Sequence, residues 1–451
     1  MSLLVKINRL FFRNNNTYKS AYVDLLSMNK LFFKINYEKI NYFAFALLAF
    51  SISFPQRIVI YTLAFWLITC LPVLRFRNHQ IAKNITNVSL LILVSLFLGR
   101  IAIAIYHHDL PELTTGLLID TQLALLLLPF VLLFQVNKLI EPDKVLFIYI
   151  AGCFVSSVVA VICFYLFRLG VLNPYAYLLY IPLRDANSSI ADDVILFQDS
   201  ISWFFKHRAA MGANLVMGIV CLIYFMKKAG NVKSWRWVGA CLVGVFFACV
   251  IYVTGSRSGL ISLFSILAIT VIYLFISNRK RLVIAFLLIF VLFSAFLSLK
   301  TTRSLLTSEI STLNYSKLRT ADPRFRIWES SVEIINENPI AGVGYSEVYP
   351  RLFEKYNRMG VLKFIKERFN SHNQFLQFSL ESGVWAGLLY AVFLLTLYLW
   401  KENRYLSVSF ANVFLIYSMF EDAVIIFNGV SLLVFFIAIL YISEKKKEII
   451  H

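Results

Sequence analysis

The sequence predicts an all-α integral membrane protein with about twelve transmembrane helices, one large outer loop that contains short helices, and both termini in the cytoplasm. Hydrophobic residues make up 59% of the 451 residues and charged residues only 15%, and the mean hydropathy is +0.73. A soluble domain has roughly 45–50% apolar and about 25% charged residues, so this composition excludes one. The other two observations are the alternating charge of the short connections and one sizeable polar insertion.

The apolar stretches give the spans. A helix needs about 20 mainly apolar residues to cross the bilayer. The predicted spans are roughly 41–54, 57–74, 86–106, 116–134, 145–167, 209–226, 238–254, 258–276, 282–298, 378–399, 405–420 and 423–442. They divide the chain into a basic segment over 1–40, nine spans within 41–298, the large loop over 299–377, three spans within 378–442 and a basic tail over 443–451.

The charges of the connections give the orientation. Alternate connections are basic, for example 75–83 and 227–236, whereas intervening ones carry acidic sequences such as 107–113 and 420–424. Cytoplasmic loops carry the excess of Lys and Arg, so both termini are expected in the cytoplasm. The formal net charge of +18 is therefore assigned to membrane orientation, and no nucleic-acid partner is predicted. The six cysteines fall inside apolar stretches without metal spacing, and neither a metal site nor a cofactor is predicted.

Arg257 stands in the turn TGSRSGL, between two apolar spans and on the predicted outer side. A charge at the bilayer centre costs at least about 2.5–3.5 kcal/mol on insertion scales, and the cost falls toward the interface. Two interpretations follow for this arginine. It anchors the helix by reaching lipid phosphate, or it binds an anionic group that the small neighbours Gly255 and Gly259 allow to approach the backbone.

The large loop contains two helical patterns. The stretch RFRIWESSVEIINENPI at 324–340 predicts a surface helix that Pro339 and the following AGVG end. The stretch at 348–369 predicts a basic amphipathic segment in the interface plane. Its side chains expected to dip into the headgroups are Leu352, Phe353, Tyr356, Leu362 and Phe364. From 300 to 369 twelve Lys and Arg face eight Asp and Glu, a difference of +4, which suits either acidic lipid or a diphosphate.

His372 stands where the chain returns to the membrane. Histidine is the side chain best suited to accept a proton near neutral pH, although an interfacial histidine also serves as a plain polar cap. Asn373, beside it, is placed to orient the ring or a substrate. Among other charges, Arg100 and Glu381 either form a buried pair, which is the favoured interpretation, or reach the substrate cavity. Asp120, Glu421 and Asp422 are expected to face headgroups at span ends.

Three motifs together resemble the O-antigen ligase/polymerase superfamily of integral-membrane glycosyltransferases. They are TGSRSGLISL at 254–263, PRFRIWESSVEIINENPIAGVGY at 323–345 and SHNQFLQFSLESGVWAGLL at 371–389. The family pattern is an arginine after a Thr-Gly-Ser-like turn, an Arg-x-x-x-Trp helix closing on Gly-x-Gly, and a His-Asn pair at the start of a later helix. The resemblance implies that the arginines bind a donor diphosphate, that the histidine is catalytic, and that the remaining matched residues support them. The arginines are Arg257, Arg324 and Arg208, the histidine is His372, and the supporting residues are Asn373, Trp328, Gly342 and Gly344.

The resemblance also implies the substrates. The donor is a glycan on undecaprenyl diphosphate, and the acceptor is a sugar hydroxyl of lipid A–core, on the periplasmic face of the bacterial inner membrane. Transfer without a metal ion is expected because arginines neutralise the leaving diphosphate. Attack by the acceptor hydroxyl on the side opposite the diphosphate predicts inversion of the anomeric carbon. A polymerase extending the lipid-linked chain remains open, as does a glycan acceptor of another kind. A transporter of lipid-linked glycans is the alternative of another class, but no internal repeat is visible.

Overall fold

The computed structural model describes residues 36–74, 85–109, 123–134, 139–168, 208–229, 234–276, 323–361, 364–365, 369–424 and 427–450. Within these residues the regular elements are fourteen α-helices and one short 3-10 turn at Leu71–Val73. The helices are α1 Tyr37–Ser51, α2 Gln56–Cys70, α3 Ile85–Tyr106, α4 Leu123–Phe134, α5 Pro142–Arg168, α6 Arg208–Ala229, α7 Ser234–Val253, α8 Arg257–Ile276, α9 Pro323–Glu337, α10 Val348–Arg358, α11 Gln374–Ser382, α12 Val384–Tyr398, α13 Arg404–Phe420 and α14 Phe427–Ile450.

Seven of the described helices are long and apolar enough to cross a membrane. Their spans are Gln56–Val73, Thr86–Tyr106, Pro142–Leu166, Arg208–Ala229, Trp235–Val253, Arg257–Leu274 and Asn428–Lys446. These helices confirm an all-α, multi-pass membrane protein. The number of twelve spans and the orientation of the termini stay predictions, and the predicted span at 282–298 lies outside the described residues.

Some predicted spans form shorter helices. The helix α1 has 15 residues and α13 has 17. At a rise of about 1.5 Å per residue they extend about 22–26 Å, less than the hydrocarbon core of about 30 Å. The helix α13 also mixes polar side chains into its buried face, including Ser407, Ser409 and Ser418. Such a helix is stable inside a bundle, where neighbours cover it, rather than alone in lipid.

The predicted span at 378–399 is divided into α11 and α12 at Gly383. This glycine has a φ of 97°, and a Cβ atom there would lie 2.0 Å from the carbonyl oxygen of Ile340. The N–H of Val384 donates to the carbonyl oxygen of Pro339 at 2.8 Å. The break therefore receives the loop that follows α9, so α9 and α10 are attached directly to the bundle.

The helices α9 and α10 have a hydrophobic core of their own. Leu352 and Tyr356 of α10 are fully buried against Ile327 and Ile334 of α9, and Phe364 is nearly so. The expectation that Leu352, Tyr356 and Phe364 dip into lipid headgroups is therefore wrong. Phe353 is partly buried against the same core, and Leu362 lies outside the described residues. An amphipathic pattern shows that one face is covered, but not which surface covers it.

Candidate functional site

Arg208 and Arg257 are the first residues of α6 and α8. These two helices approach each other through Gly212 and Gly259, since a Cβ atom at Gly212 would lie 3.2 Å from the Cα atom of Gly259. This contact lies four residues after Arg208 and two residues after Arg257. Each arginine is therefore within about 6 Å of the contact, measured along its helix axis. The starts of both helices therefore lie together, and both arginine side chains are exposed there.

The turn before α8 explains the Thr-Gly-Ser sequence. Gly255 has a φ of 63°, a conformation that glycine adopts without strain. The Ser256 hydroxyl accepts the N–H of Gly259 at 3.1 Å and so caps the first turn of the helix. The Thr254 hydroxyl donates to the carbonyl oxygen of Ile251 at 2.6 Å and ends the preceding helix. This arrangement presents Arg257 at the positive end of a helix dipole, where an anion is stabilised.

A second group joins Arg324, His372 and Glu421. Nη2 of Arg324, near the start of α9, lies 3.2 Å from Oε1 of Glu421. The other carboxylate oxygen, Oε2, lies 3.3 Å from Nδ1 of His372. The Arg324 side chain is 22% exposed, His372 27% and Glu421 11%, so a ligand can reach the two basic groups while the carboxylate stays largely covered. One carboxylate thus holds the arginine and the histidine together.

His372 occupies a strained backbone position. Its φ is 45°, in the left-handed region that residues other than glycine seldom adopt. Its N–H donates to Oδ1 of Asn370 at 3.3 Å. Directly after it, Oδ1 of Asn373 accepts the N–H groups of Phe375 and Leu376 at 3.0 and 3.1 Å and so caps α11. Asn373 therefore supports the histidine by fixing the start of the helix that follows.

Asp422 and Trp328 hold the same segment from two sides. Oδ1 of Asp422 accepts the Ser371 hydroxyl at 3.0 Å and the N–H of Asn373 at 3.1 Å. Nε1 of Trp328, on α9, donates to the carbonyl oxygen of Ser371 at 3.1 Å. Burial raises the pKa of the Asp422 carboxyl, and the nearby His372 opposes this rise. The geometry of the histidine is thus set by contacts from α9 and from the end of α13.

The two glycines of the AGVG sequence position the loop after α9. Gly342 and Gly344 have φ values of 65° and 83°. A Cβ atom at Gly342 would lie 2.4 Å from the carbonyl oxygen of Leu380, and one at Gly344 would lie 2.5 Å from Oδ2 of Asp109. These close approaches pack the loop against α11 and against the end of α3. Both glycines are therefore architectural residues that connect α9 to the bundle.

The charged pair predicted inside the bundle is present. Arg100 on α3 forms an ion pair with Glu381 on α11, and both side chains are buried. Nε2 of Gln377 donates to the other oxygen of Glu381 at 2.8 Å, and the Arg100 guanidinium stacks on Phe378 at 4.5 Å. The pair links α3 to α11, and it lies next to the AGVG loop because Gly342 packs against the backbone of Glu381.

Two hydrogen bonds fix the register between α8 and α13, which run in opposite directions. Nδ2 of Asn412 donates to Oγ of Ser265 at 2.8 Å. The hydroxyls of Thr270 and Tyr405 lie 2.9 Å apart. Later residues of α8 therefore contact earlier residues of α13.

This register brings Arg257 to the end of the bundle that carries Glu421. Arg257 stands eight residues before Ser265, and Phe420 stands eight residues after Asn412. Arg257 is therefore at the level of Phe420, directly before Glu421. Because α6 starts beside α8, Arg208 lies at this end too. The structure thus places the three predicted arginines and the predicted histidine at one end of the bundle.

Glu421 and Asp422 are residues of the candidate site that the sequence interpretation missed. They were expected to face headgroups, but both are buried and hydrogen-bonded to residues of the site. The available signal was the adjacent acidic pair in FEDAV, which stands at a span end on the side predicted to carry the large basic loop. Carboxylates that pair with such cations avoid the cost of an unpaired buried charge.

The comparison with known families agrees with these motifs. Residues 242–391 match the family described as O-antigen ligase. This match covers about a third of the chain, and over these residues the chain is similar to O-antigen ligases. The matched segment holds Arg257, Arg324 and His372, whereas Arg208 precedes it and Glu421 follows it. No curated protein matches the chain. The match to the O-antigen ligase family indicates a glycosyltransferase of the ligase or polymerase type.

Proposed function

We propose that this chain transfers a glycan from undecaprenyl diphosphate to a sugar hydroxyl of lipid A–core, as an O-antigen ligase does. The match of residues 242–391 to the O-antigen ligase family supports a transferase that acts on lipid-linked glycans. The observation that carries the proposal is the Glu421 carboxylate, which contacts both Arg324 and His372. It brings a cation suited to a leaving diphosphate and a base suited to a hydroxyl into one site.

His372 accepts the proton in the proposed reaction. The acceptor hydroxyl oxygen forms a bond with the anomeric carbon of the donor and loses its proton. Because Nδ1 of His372 faces Glu421, Nε2 is the nitrogen assigned to the acceptor. Glu421 holds the ring in this orientation and stabilises the imidazolium that forms. A positioned base of this kind contributes typically about 10²–10⁴-fold to the rate.

The arginines stabilise the leaving group. The bond between the anomeric carbon and the diphosphate oxygen breaks, and its electron pair stays with the diphosphate. Arg324, Arg257 and Arg208 bind this group, since a guanidinium remains charged and holds phosphate oxygens in pairs. The starts of α6 and α8 add the positive ends of two helix dipoles. Attack opposite the diphosphate inverts the anomeric carbon, and the arginines neutralise the developing charge without a requirement for a metal ion.

The charge pattern supports a periplasmic site in the bacterial inner membrane. Arg208 begins α6, whereas Lys227 and Lys228 stand in its last turn. The positive-inside rule assigns the lysine end to the cytoplasm, so the arginine end faces the periplasm. Lipid-linked donor and lipid A–core acceptor would both reach the site from the membrane.

The test is transfer by the purified protein in the presence of EDTA. Undecaprenyl-diphosphate glycan is the donor, and lipid A–core or a second lipid-linked glycan is the acceptor in separate reactions. We expect product on lipid A–core from the wild type, and at least about 10² times less from Arg324→Ala and His372→Ala. Arg326→Ala is the matched control, because this arginine stands on the same helix outside the contacts described above.

Two results would overturn the proposal. Longer lipid-linked chains without product on lipid A–core would make the protein a polymerase. No transfer to either acceptor, together with movement of a fluorescent donor across vesicles, would make it a transporter.

A further inference from the structure

A second site is suggested by a cavity of about 690 Å³ between α5, α6 and α7. Its walls are almost entirely apolar and include Phe154, Phe225, Met226 and Val243. Ligand cavities in proteins have about 300–1,000 Å³, so this one is large enough for a lipid tail. Apolar walls exclude a polar ligand, which would leave its hydrogen bonds unmade.

The cavity lies far from the candidate active site. It is lined on α6 by residues between Leu222 and Ala229, which stand 14 to 21 residues after Arg208. At about 1.5 Å per residue the separation along the helix is about 21–32 Å. The cavity is therefore at the other end of the bundle, and it does not depend on the proposed transfer reaction.

Positive charge surrounds this end of the cavity. Lys228 forms an ion pair with Asp143, and Lys227 stacks on Tyr273 at 4.1 Å. Arg236 lines the cavity itself and is exposed. Within the described part of the chain no carboxylate lies within ion-pairing distance of Arg236, whose guanidinium stands 5.4 Å from the ring of Trp235. An anion at the cavity would therefore meet an arginine that no described acidic residue neutralises.

The surface of α7 indicates how a ligand would arrive. Val238 is 57% exposed, Leu242 66% and Val245 45%, so this helix presents an apolar face away from the bundle. Trp235, 66% exposed, and Trp237 stand at its start, beside Arg236. Tryptophan next to a basic residue is typical of the membrane–water interface. The cavity is partly open, and this face would lie in the lipid.

We propose that the cavity binds an anionic glycerophospholipid of the cytoplasmic leaflet. One acyl chain lies between α5, α6 and α7, and the phosphate pairs with Arg236. The charge identifies the occupant, because an apolar tail alone would fill the cavity and leave the arginine unmatched, whereas a phosphate at its mouth forms a charge-assisted hydrogen bond with it. The orientation follows from the lysines at this end of α6.

The experiment measures lipid retained by the full-length purified protein, using native mass spectrometry after equilibration with mixed micelles. Separate samples contain phosphatidylglycerol, phosphatidylcholine or undecaprenyl phosphate. Gly239→Phe fills the cavity, and Gly244→Phe is its matched control on the same helix outside the cavity lining. A Cβ atom at either glycine meets nothing within 4 Å, so both variants are expected to fold. Arg236→Gln removes the proposed phosphate contact from an exposed position.

Wild type and Gly244→Phe should retain phosphatidylglycerol over phosphatidylcholine by about fivefold, the value of one basic residue near an anionic lipid. Gly239→Phe should lose the retained lipid, and Arg236→Gln should lose the preference but keep binding phosphatidylcholine. Equal retention by wild type and Gly239→Phe would overturn the proposal. It would also fail if undecaprenyl phosphate displaced phosphatidylglycerol from the wild type, or if the wild type retained no lipid.

Discussion

Nδ1 of His372 and Oε2 of Glu421 lie 3.3 Å apart, although 49 residues separate them in the chain. The same carboxylate lies 3.2 Å from Arg324, 97 residues before it. Glu421 thus links the end of α13 to the start of α9 and to the segment before α11. This link organises the candidate site, because it fixes the distance between the arginine and the histidine before any substrate binds.

Replacing Glu421 by glutamine keeps the shape of the side chain and removes its charge. We expect kcat for glycan transfer to fall by at least about 10²-fold, because the histidine loses the group that orients it as a base. Glu347→Gln is the matched control, since Glu347 is exposed beside α10 and pairs with Arg351 at 4.0 Å. An unchanged kcat in Glu421→Gln, measured at saturating donor and acceptor, would contradict the orienting role.

The buried carboxyl of Asp422 predicts a pH-dependent stability. Burial raises its pKa to about 7, from an ordinary value of about 3.9. Between these values the folded protein binds a proton that the unfolded chain does not bind. The stabilisation of the folded state by this proton on Asp422 is therefore complete below about pH 4. It is lost as the pH rises through the folded-state pKa.

Asp422→Asn imitates the neutral carboxyl and should remove this dependence. Unfolding temperatures scanned at one heating rate should fall with rising pH more steeply for the wild type than for the variant. Parallel profiles over the whole range would show that Asp422 does not titrate in this way.

The close contact of α6 and α8 predicts that a larger side chain at Gly212 lowers the stability of the protein and weakens donor binding. A leucine there would meet Oγ of Ser256 and the Cα atom of Gly259, and would separate the starts of both helices. We expect a loss of about 1–3 kcal/mol in stability from overpacking, and a larger proportional loss of donor binding because Arg208 and Arg257 move apart. Gly244→Leu, in open space on α7, should change neither thermal stability nor donor affinity.

The break at Gly383 predicts a clash as well as backbone strain. An alanine there would place its Cβ atom 2.0 Å from a backbone oxygen that is fixed by the loop after α9. Gly360 also has a positive φ, but a Cβ atom there meets nothing within 4 Å. Gly360→Ala should therefore cost about 1–2 kcal/mol from strain alone, and Gly383→Ala clearly more. Similar unfolding temperatures for the two variants would show that the loop yields at the break.

Much of the fold follows from local patterns that the sequence displays. Long apolar runs predicted the helices that the structure describes, and α9 was expected over 324–340 and is found at Pro323–Glu337. Arg257, Arg324 and His372 were identified from their motifs. These features depend on neighbours within a few turns, and composition and spacing report such neighbours directly.

Features that depend on distant partners could not be predicted. The role of Glu421 arises from contacts with residues 49 and 97 positions earlier, and a single sequence shows no sign of this proximity. The division at Gly383 requires the backbone of Ile340, and the burial of Tyr356 requires α9. A glycine in an apolar run and an amphipathic stretch each allow several tertiary arrangements, and packing selects one of them.

The central claim, that His372 accepts the proton of the acceptor hydroxyl, is tested most directly by single-turnover transfer from pre-bound donor. This measurement separates the chemical step from donor binding. His372→Ala should bind undecaprenyl-diphosphate glycan as the wild type does, and should transfer it at least about 10² times more slowly. Transfer by His372→Ala at the wild-type rate would contradict the account, because the proton would then leave the hydroxyl without this histidine.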